Sequence, residues 1–278
     1  MKLFFSILLT SFCFGLFAQQ SAELSLASQY YRDGDCEKTI SIYEELKRSK
    51  INIESYYSNY FNCLLQLNEF SQAEKLTKKL QKKRPNDPRY IANLGFVWEA
   101  KGLKKKAHKE FNKAIESLKP NQIHSVTSLA NTFVNKGAYD WALKTYEHGQ
   151  EVNPKHEFGF HMANTYKSMG KTEKMIDAYL QLVVRKPSHQ QSVQTSLQNT
   201  LARTKGTGDN FDLLKQKLIK KIQKTNNTDL TEMLVWLFMQ SDEFNAAFIY
   251  SKALDKRLNE DGTRLYTLAT LAHENKAY

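Results

Sequence analysis

Along most of the chain apolar residues recur every three or four positions, in runs of about thirteen residues separated by short polar breaks. That period predicts amphipathic helices, since a half-buried strand would alternate every second residue. The stretch "IANLGFVWEAKG" sets Ile91, Leu94 and Trp98 on one face, with Gly95 where a neighbouring helix must come close. "KKKAHKEFNKAI" follows, with Ala107, Phe111 and Ala114 as its apolar stripe. Turn residues separate such paired runs at Gly34, Asn68, Gly102, Gly137 and Gly170, with spacings of 34, 34, 35 and 33. Pro85, Pro154 and Pro187 fall just past second runs, where a helix should stop. A constant period of this length marks a repeat array.

Small residues recur in first helices at Ala27, Gly95, Ala130, Ala163 and Ala269, and in second helices at Ala73, Ala107, Ala142 and Ala247. Large partners recur at Tyr30, Trp98, Phe133, Tyr166 and Phe238, and in second helices at Tyr43, Phe111, Tyr146 and Tyr179. The pattern resembles the tetratricopeptide repeat, a helix–turn–helix unit of about 34 residues. The resemblance implies an all-α fold: a right-handed α-solenoid of about seven to eight such units, the last one incomplete. Thr39 and Met175 stand where the family prefers alanine and Phe61 fills a slot usually kept small, so looser packing is expected there.

Residues 19–187 read as an array of about five repeats, 188–227 as an irregular or enlarged helical repeat, and 228–278 as further repeats with the last truncated. Within the middle stretch, Val193, Leu197 and Leu201 are spaced for one helix and Leu214, Leu218 and Ile222 for a second, with "TKGTGD" as the turn. A loose connector is the alternative. At the end, Leu265, Leu268, Ala269 and Ala272 make a first helix, and Tyr278 aligns with Tyr139 at the start of a second. Arrays normally end in a complete polar cap. The chain is therefore expected to be the N-terminal portion of a longer protein, with a natural stop and a frayed last helix as the alternative.

The first segment is different in kind. "MKLFFSILLTSFCFGLFAQQ" has Lys2, an apolar run from Leu3 to Ala18 and a polar start at Gln19, the order of a signal peptide over residues 1–18. Cleavage is expected after Ala18, although Leu16 is large for its position; Phe12 before Cys13 is too bulky for lipoprotein processing. The run is short for a bilayer span, and no later segment is apolar enough for one. The expected address is the periplasm or cell envelope of a Gram-negative-type bacterium. Two cysteines follow the signal, Cys36 and Cys63, in no metal or redox spacing. An oxidising compartment permits a disulfide between them, but a reduced pair of small packing residues is the favoured reading.

Chemistry is not expected of this chain. "KGTGDN" lacks the spacing and the lysine of a phosphate loop, and no H-E-x-x-H occurs. His156 and His161, five apart in one predicted helix, turn to different faces. No serine lies in a G-x-S-x-G context. Neither cofactor, metal nor nucleic acid is implied.

Binding is the remaining class. The resemblance implies that first helices line a concave groove for a peptide or partner protein. Predicted groove positions carry Asn59, Asn62, Asn93, Asn131 and Asn164, whose amides can donate to and accept from a peptide backbone. Phe96, Phe160 and Tyr31 would add apolar anchors. Lysines that could clamp a C-terminal carboxylate are not visible at the matching slots. The net charge of +11 is bunched in second helices, which the resemblance puts on the convex face. Lys75, Lys78, Lys79, Lys82 and Lys83 form one cluster, Lys105, Lys106 and Lys109 a second, and Lys215, Lys217, Lys220, Lys221 and Lys224 a third. A solvated face explains much of this; an acidic partner or an anionic envelope surface is the sharper reading. The expected function is a non-catalytic protein–protein interaction scaffold of the bacterial envelope. The alternative is the N-terminal sensory or regulatory region of a larger signalling or secretion-system protein.

Overall fold

A computed structural model describes residues 21–49, 51–201 and 208–274. Residues 1–18, expected to be a signal peptide, most of the "TKGTGD" turn and Tyr278 lie outside the described residues. The described residues form fifteen α-helices, two short 3-10 segments and no strand. Helix α1 covers residues 21–32. It is followed by α2 (Cys36–Arg48), α3 (Tyr57–Gln66), α4 (Phe70–Lys83), α5 (Pro88–Ala100), α6 (Lys104–Glu116) and α7 (Ile123–Val134). Next come α8 (Tyr139–Val152), α9 (Gly159–Ser168), α10 (Thr172–Arg185), α11 (Gln190–Leu201) and α12 (Asp209–Thr225). The last are α13 (Thr228–Gln240), α14 (Phe244–Leu258) and α15 (Thr263–Glu274).

The recurring turn residues are what fold the pairs into hairpins. Gly34, Asn68, Gly102, Gly137 and Gly170 all have positive φ, between 61° and 81°, as does Asp242 at 58°. Only glycine takes this conformation freely, and Asn and Asp tolerate it best among the rest. At Gly34, Asn68, Gly102 and Gly170 the next amide bonds five residues back, to Tyr30, Leu64, Trp98 and Tyr166, at 2.7–2.9 Å. The turn residue's own amide bonds three back, to Tyr31, Leu65, Glu99 and Lys167. This paired pattern satisfies the orphan carbonyls of a helix end and redirects the chain within two residues. The period of the sequence is therefore the period of one capping motif.

The chain divides into two compact units between Asn135 and Lys136. In the first unit, α5 packs against α4, α6 and α7. Every residue from Tyr90 to Val97 is consequently buried, polar Asn93 included. Gly95 lets α6 approach: a side-chain carbon there would run into the Phe111 ring and come within 3.1 Å of the Ala107 carbonyl. Phe111 in turn meets Phe133 edge-on, ring centroids 5.2 Å apart. Thr39 and Phe61 are fully buried despite their unusual slots, Thr39 bonding back to the Asp35 carbonyl at 2.7 Å. Cys36 opens α2 and Cys63 lies late in α3, their Cα atoms 5.0 Å apart, and they are joined as a disulfide. The expectation of a reduced pair is corrected: antiparallel packing of α2 and α3 brings the two sulfurs together.

In the second unit one apolar core runs from Ala163 and Met175 through Leu214 and Leu234 to Leu268. The stretch 188–227 contributes to it directly, through Val193, Leu197, Phe211, Leu214 and Leu218. Helix α12 packs against α10 and α13, and α11 against α10 and α13. Lys217 on α12 bonds Glu173 at 2.9 Å and Asp177 at 2.8 Å on α10. Both helices are thus packed into the second unit. Ala269, expected among the packing alanines, is instead exposed on α15.

Candidate interaction surfaces

The predicted groove residues divide into three groups. Asn93 is 6% exposed and donates to the Tyr57 hydroxyl at 2.9 Å. That hydroxyl also shares a hydrogen bond with Thr77 at 2.9 Å, and burial pushes its pKa up. Phe96 is 5% exposed and packs on Phe111 with centroids 4.8 Å apart. Neither can reach a ligand: both belong to the core, because α5 is covered on more sides than an amphipathic reading allows. Asn59 and Asn62 are half-buried and donate to tyrosine hydroxyls of earlier helices, Tyr43 at 3.4 Å and Tyr31 at 2.8 Å. These amides hold neighbouring helices in register, so the expected row of free asparagines is broken.

Asn131 on α7 and Asn164 on α9 remain exposed, each following a fully buried alanine, Ala130 or Ala163. Asn164 accepts one long bond from the Tyr179 hydroxyl, 3.4 Å, and its amide protons stay available. Phe160 is partly buried beside it in sequence, edge-on to Tyr179 and His189. Two of the candidate amides and one of the aromatics are therefore placed for contact.

The predicted basic residues are all exposed: Lys75, Lys78, Lys79, Lys82 and Lys83 on α4, and Lys105, Lys106 and Lys109 on α6. Three have partners. Lys78 pairs with Glu74 at 2.6 Å, Lys83 with Glu54 at 2.8 Å, and Lys106 lies 5.4 Å over the Trp98 ring. Glu74 also bonds Lys101 at 2.8 Å, and these ammonium groups, Lys101 first, hold its carboxyl below the ordinary carboxylate range. Lys75 and Lys79, Lys78 and Lys82, and Lys79 and Lys83 stand one helical turn apart, each pair costing about 0.2–0.5 kcal/mol. In the third cluster, Lys215 pairs with Glu243 at 3.0 Å and Lys217 with two α10 carboxylates. Those two lysines fasten helices together.

A cleft of about 590 Å³ opens among Glu54, Arg84, Asp87, Arg89, His124 and Ser128. Its charges are paired internally: Arg89 bonds Asp87 with both ends of its guanidinium, and Lys83 and Arg84, which also line it, meet Glu54 at 2.8 and 3.3 Å. His156 precedes α9 rather than sharing a helix with His161, which corrects the expectation of two faces of one helix. Both rings instead lie against Phe158, His156 at 4.6 Å and His161 at 6.1 Å between centroids. Burial, reinforced by the charge of His156, lowers the pKa of His161. Among the described residues no group of His, Cys, Asp and Glu is arranged to hold a metal ion. No described helix is long and apolar enough to cross a membrane.

Residues 160–189, which span the α9–α10 hairpin, match the family model of the tetratricopeptide repeat. That hairpin is therefore a tetratricopeptide repeat, and the capped turns that recur along the described residues share its capping pattern. Proteins built of this repeat are generally non-catalytic scaffolds for protein–protein interaction. No curated protein matches the chain. Among solved structures, a thermophilic tetratricopeptide-repeat protein of Thermus thermophilus is similar at 18% identity and a TM-score of 0.36, covering 64% of this chain and 96% of that one. The TPR2AB domain of yeast Sti1, solved in complex with pHSP90, is 16% identical with a TM-score of 0.32, covering 92% and 98%. A tetratricopeptide repeat protein of Parabacteroides merdae is 13% identical with a TM-score of 0.33, covering 91% and 98%.

Proposed function

We propose that the chain is an exported, non-catalytic scaffold of a bacterial envelope that holds a protein segment against the exposed faces of its first helices. The observation that carries this is the accessibility of Asn131 and Asn164, at the same register of their repeats, when the other predicted amides are bonded or buried. An exposed amide can donate to and accept from an extended backbone at once. Phe160 adds an apolar contact near Asn164. Export is supported by the charged, apolar and polar order of the first twenty residues. A disulfide between two buried cysteines fits the same address, since cytosolic thiols are kept reduced.

Changing Asn131 and Asn164 to alanine together tests the grip. Each exposed amide is expected to contribute a net hydrogen bond, so capture of the partner from envelope extract should weaken about tenfold while stability holds. Equal capture by both proteins would show that the amides are not the contact.

A further inference from the structure

Residues 70–119 carry fourteen Lys and Arg against five Asp and Glu, which makes this stretch the main source of the net positive charge. The basic residues are not spread evenly over it. Between the end of α2, the chain around Ile53 and the last turns of α4 lies a cleft of about 780 Å³. Its rim holds Lys47, Lys79, Lys82 and Lys83, and no carboxylate lines it. Ile51, partly buried, together with Ile53 and Leu80, 8% and 1% exposed, forms its apolar floor. Lys47 is engaged by Glu44 at 2.9 Å and Lys83 by Glu54 at 2.8 Å. Lys79 and Lys82 are exposed, and neither forms an ion pair with a described residue.

Helix electrostatics account for only part of this arrangement. Cations in the last turn complement the helix dipole, which covers Lys82 and Lys83. Lys75 and Lys79 sit further from the end, where that benefit fades and repulsion between neighbours remains. A second concavity on the same helix, about 610 Å³, is lined by Lys75, Lys78, Lys79 and Lys82. Lys79 and Lys82 therefore border both hollows, and they are the two cations of the first one's rim that form no ion pair with a described residue.

We propose that this cleft is a docking site for an acidic protein segment, with an apolar side chain seated over Ile53 and Leu80 and flanking carboxylates paired to Lys79 and Lys82. The recessed apolar floor selects this occupant. A flat anionic bilayer would meet the lysine rim and leave the floor empty, whereas a single chain can fill both. The site is separate from the exposed asparagines, so either assignment can fail without the other.

The test uses the full chain and a synthetic glutamate-rich peptide with one central leucine. Lys79→Gln with Lys82→Gln should weaken binding about tenfold, as two exposed charge pairs would. Lys105→Gln with Lys109→Gln removes the same charge from α6 and should change binding less than about twofold, since neither lysine lines the cleft and exposed charges that make no direct contact are screened at physiological salt. Replacing the peptide's leucine by glycine should also weaken it, and Asn131→Ala with Asn164→Ala should leave it unchanged. Equal losses from both lysine pairs would overturn the proposal in favour of a general charge effect. So would indifference to the leucine, or loss of binding in the asparagine variant. Phosphatidylglycerol vesicles that bind more tightly than the peptide, and release on the Lys79 and Lys82 changes, would assign the surface to lipid.

Discussion

Asn93 shows most clearly how one residue's role depends on what surrounds it. Its amide donates to Tyr57, whose hydroxyl is shared with Thr77, and all three are buried. Removing it leaves a buried hydroxyl short of a partner, which costs about 1–3 kcal/mol. Asn93→Ala should therefore lower the unfolding free energy by that amount, seen as a lower urea midpoint with the slope unchanged, whereas Asn131→Ala should stay within about 0.5 kcal/mol of the parent. An unchanged midpoint for Asn93→Ala would mean that the Tyr57–Thr77 pair satisfies itself. The sequence could not separate these two asparagines. Both occupy first helices, and the difference lies in α5 being packed on three other helices, a tertiary fact. The basic residues were more legible, since long charged side chains stay exposed almost regardless of packing.

Helices and turns were largely legible because each is set by local chemistry. The positive-φ positions were visible as Gly34, Asn68, Gly102, Gly137 and Gly170, and the structure gives each a left-handed backbone. Gly95 was legible for a different reason, as the one small residue on a crowded helix face, and the Phe111 ring fills the space it leaves. Pairing between elements was harder to read. Lys215 and Lys217 looked like part of a basic stripe, but their partners are Glu243, just before α14, and two carboxylates of α10, 28 to 44 residues away in sequence. The cysteines posed the same problem, with a sequence separation of 27. A loop of that length implies about 3–4 kcal/mol from constraining the unfolded chain. Replacing both cysteines by alanine is expected to destabilise the protein by about that much in urea unfolding. Parity between the reduced and oxidised parent would show that the bridge adds nothing to the α2–α3 packing.

For the whole molecule, the chemistry visible in the described residues is that of contact. Its buried polar groups fasten helices, and the charges of the cleft beside α5 pair with one another. What stays exposed is a pair of amides on first helices and, on α4, the ammonium groups of Lys75, Lys79 and Lys82, which form no ion pair with a described residue. The scaffold reading rests on the first pair, and site-specific photo-crosslinking in the native host tests it most directly. A photoreactive residue in place of Asn131 or Asn164 should each capture the same discrete partner, while one at exposed Asn112 on the second helix α6 should not. No adduct from either first-helix position, or the same adduct from position 112, would contradict the account.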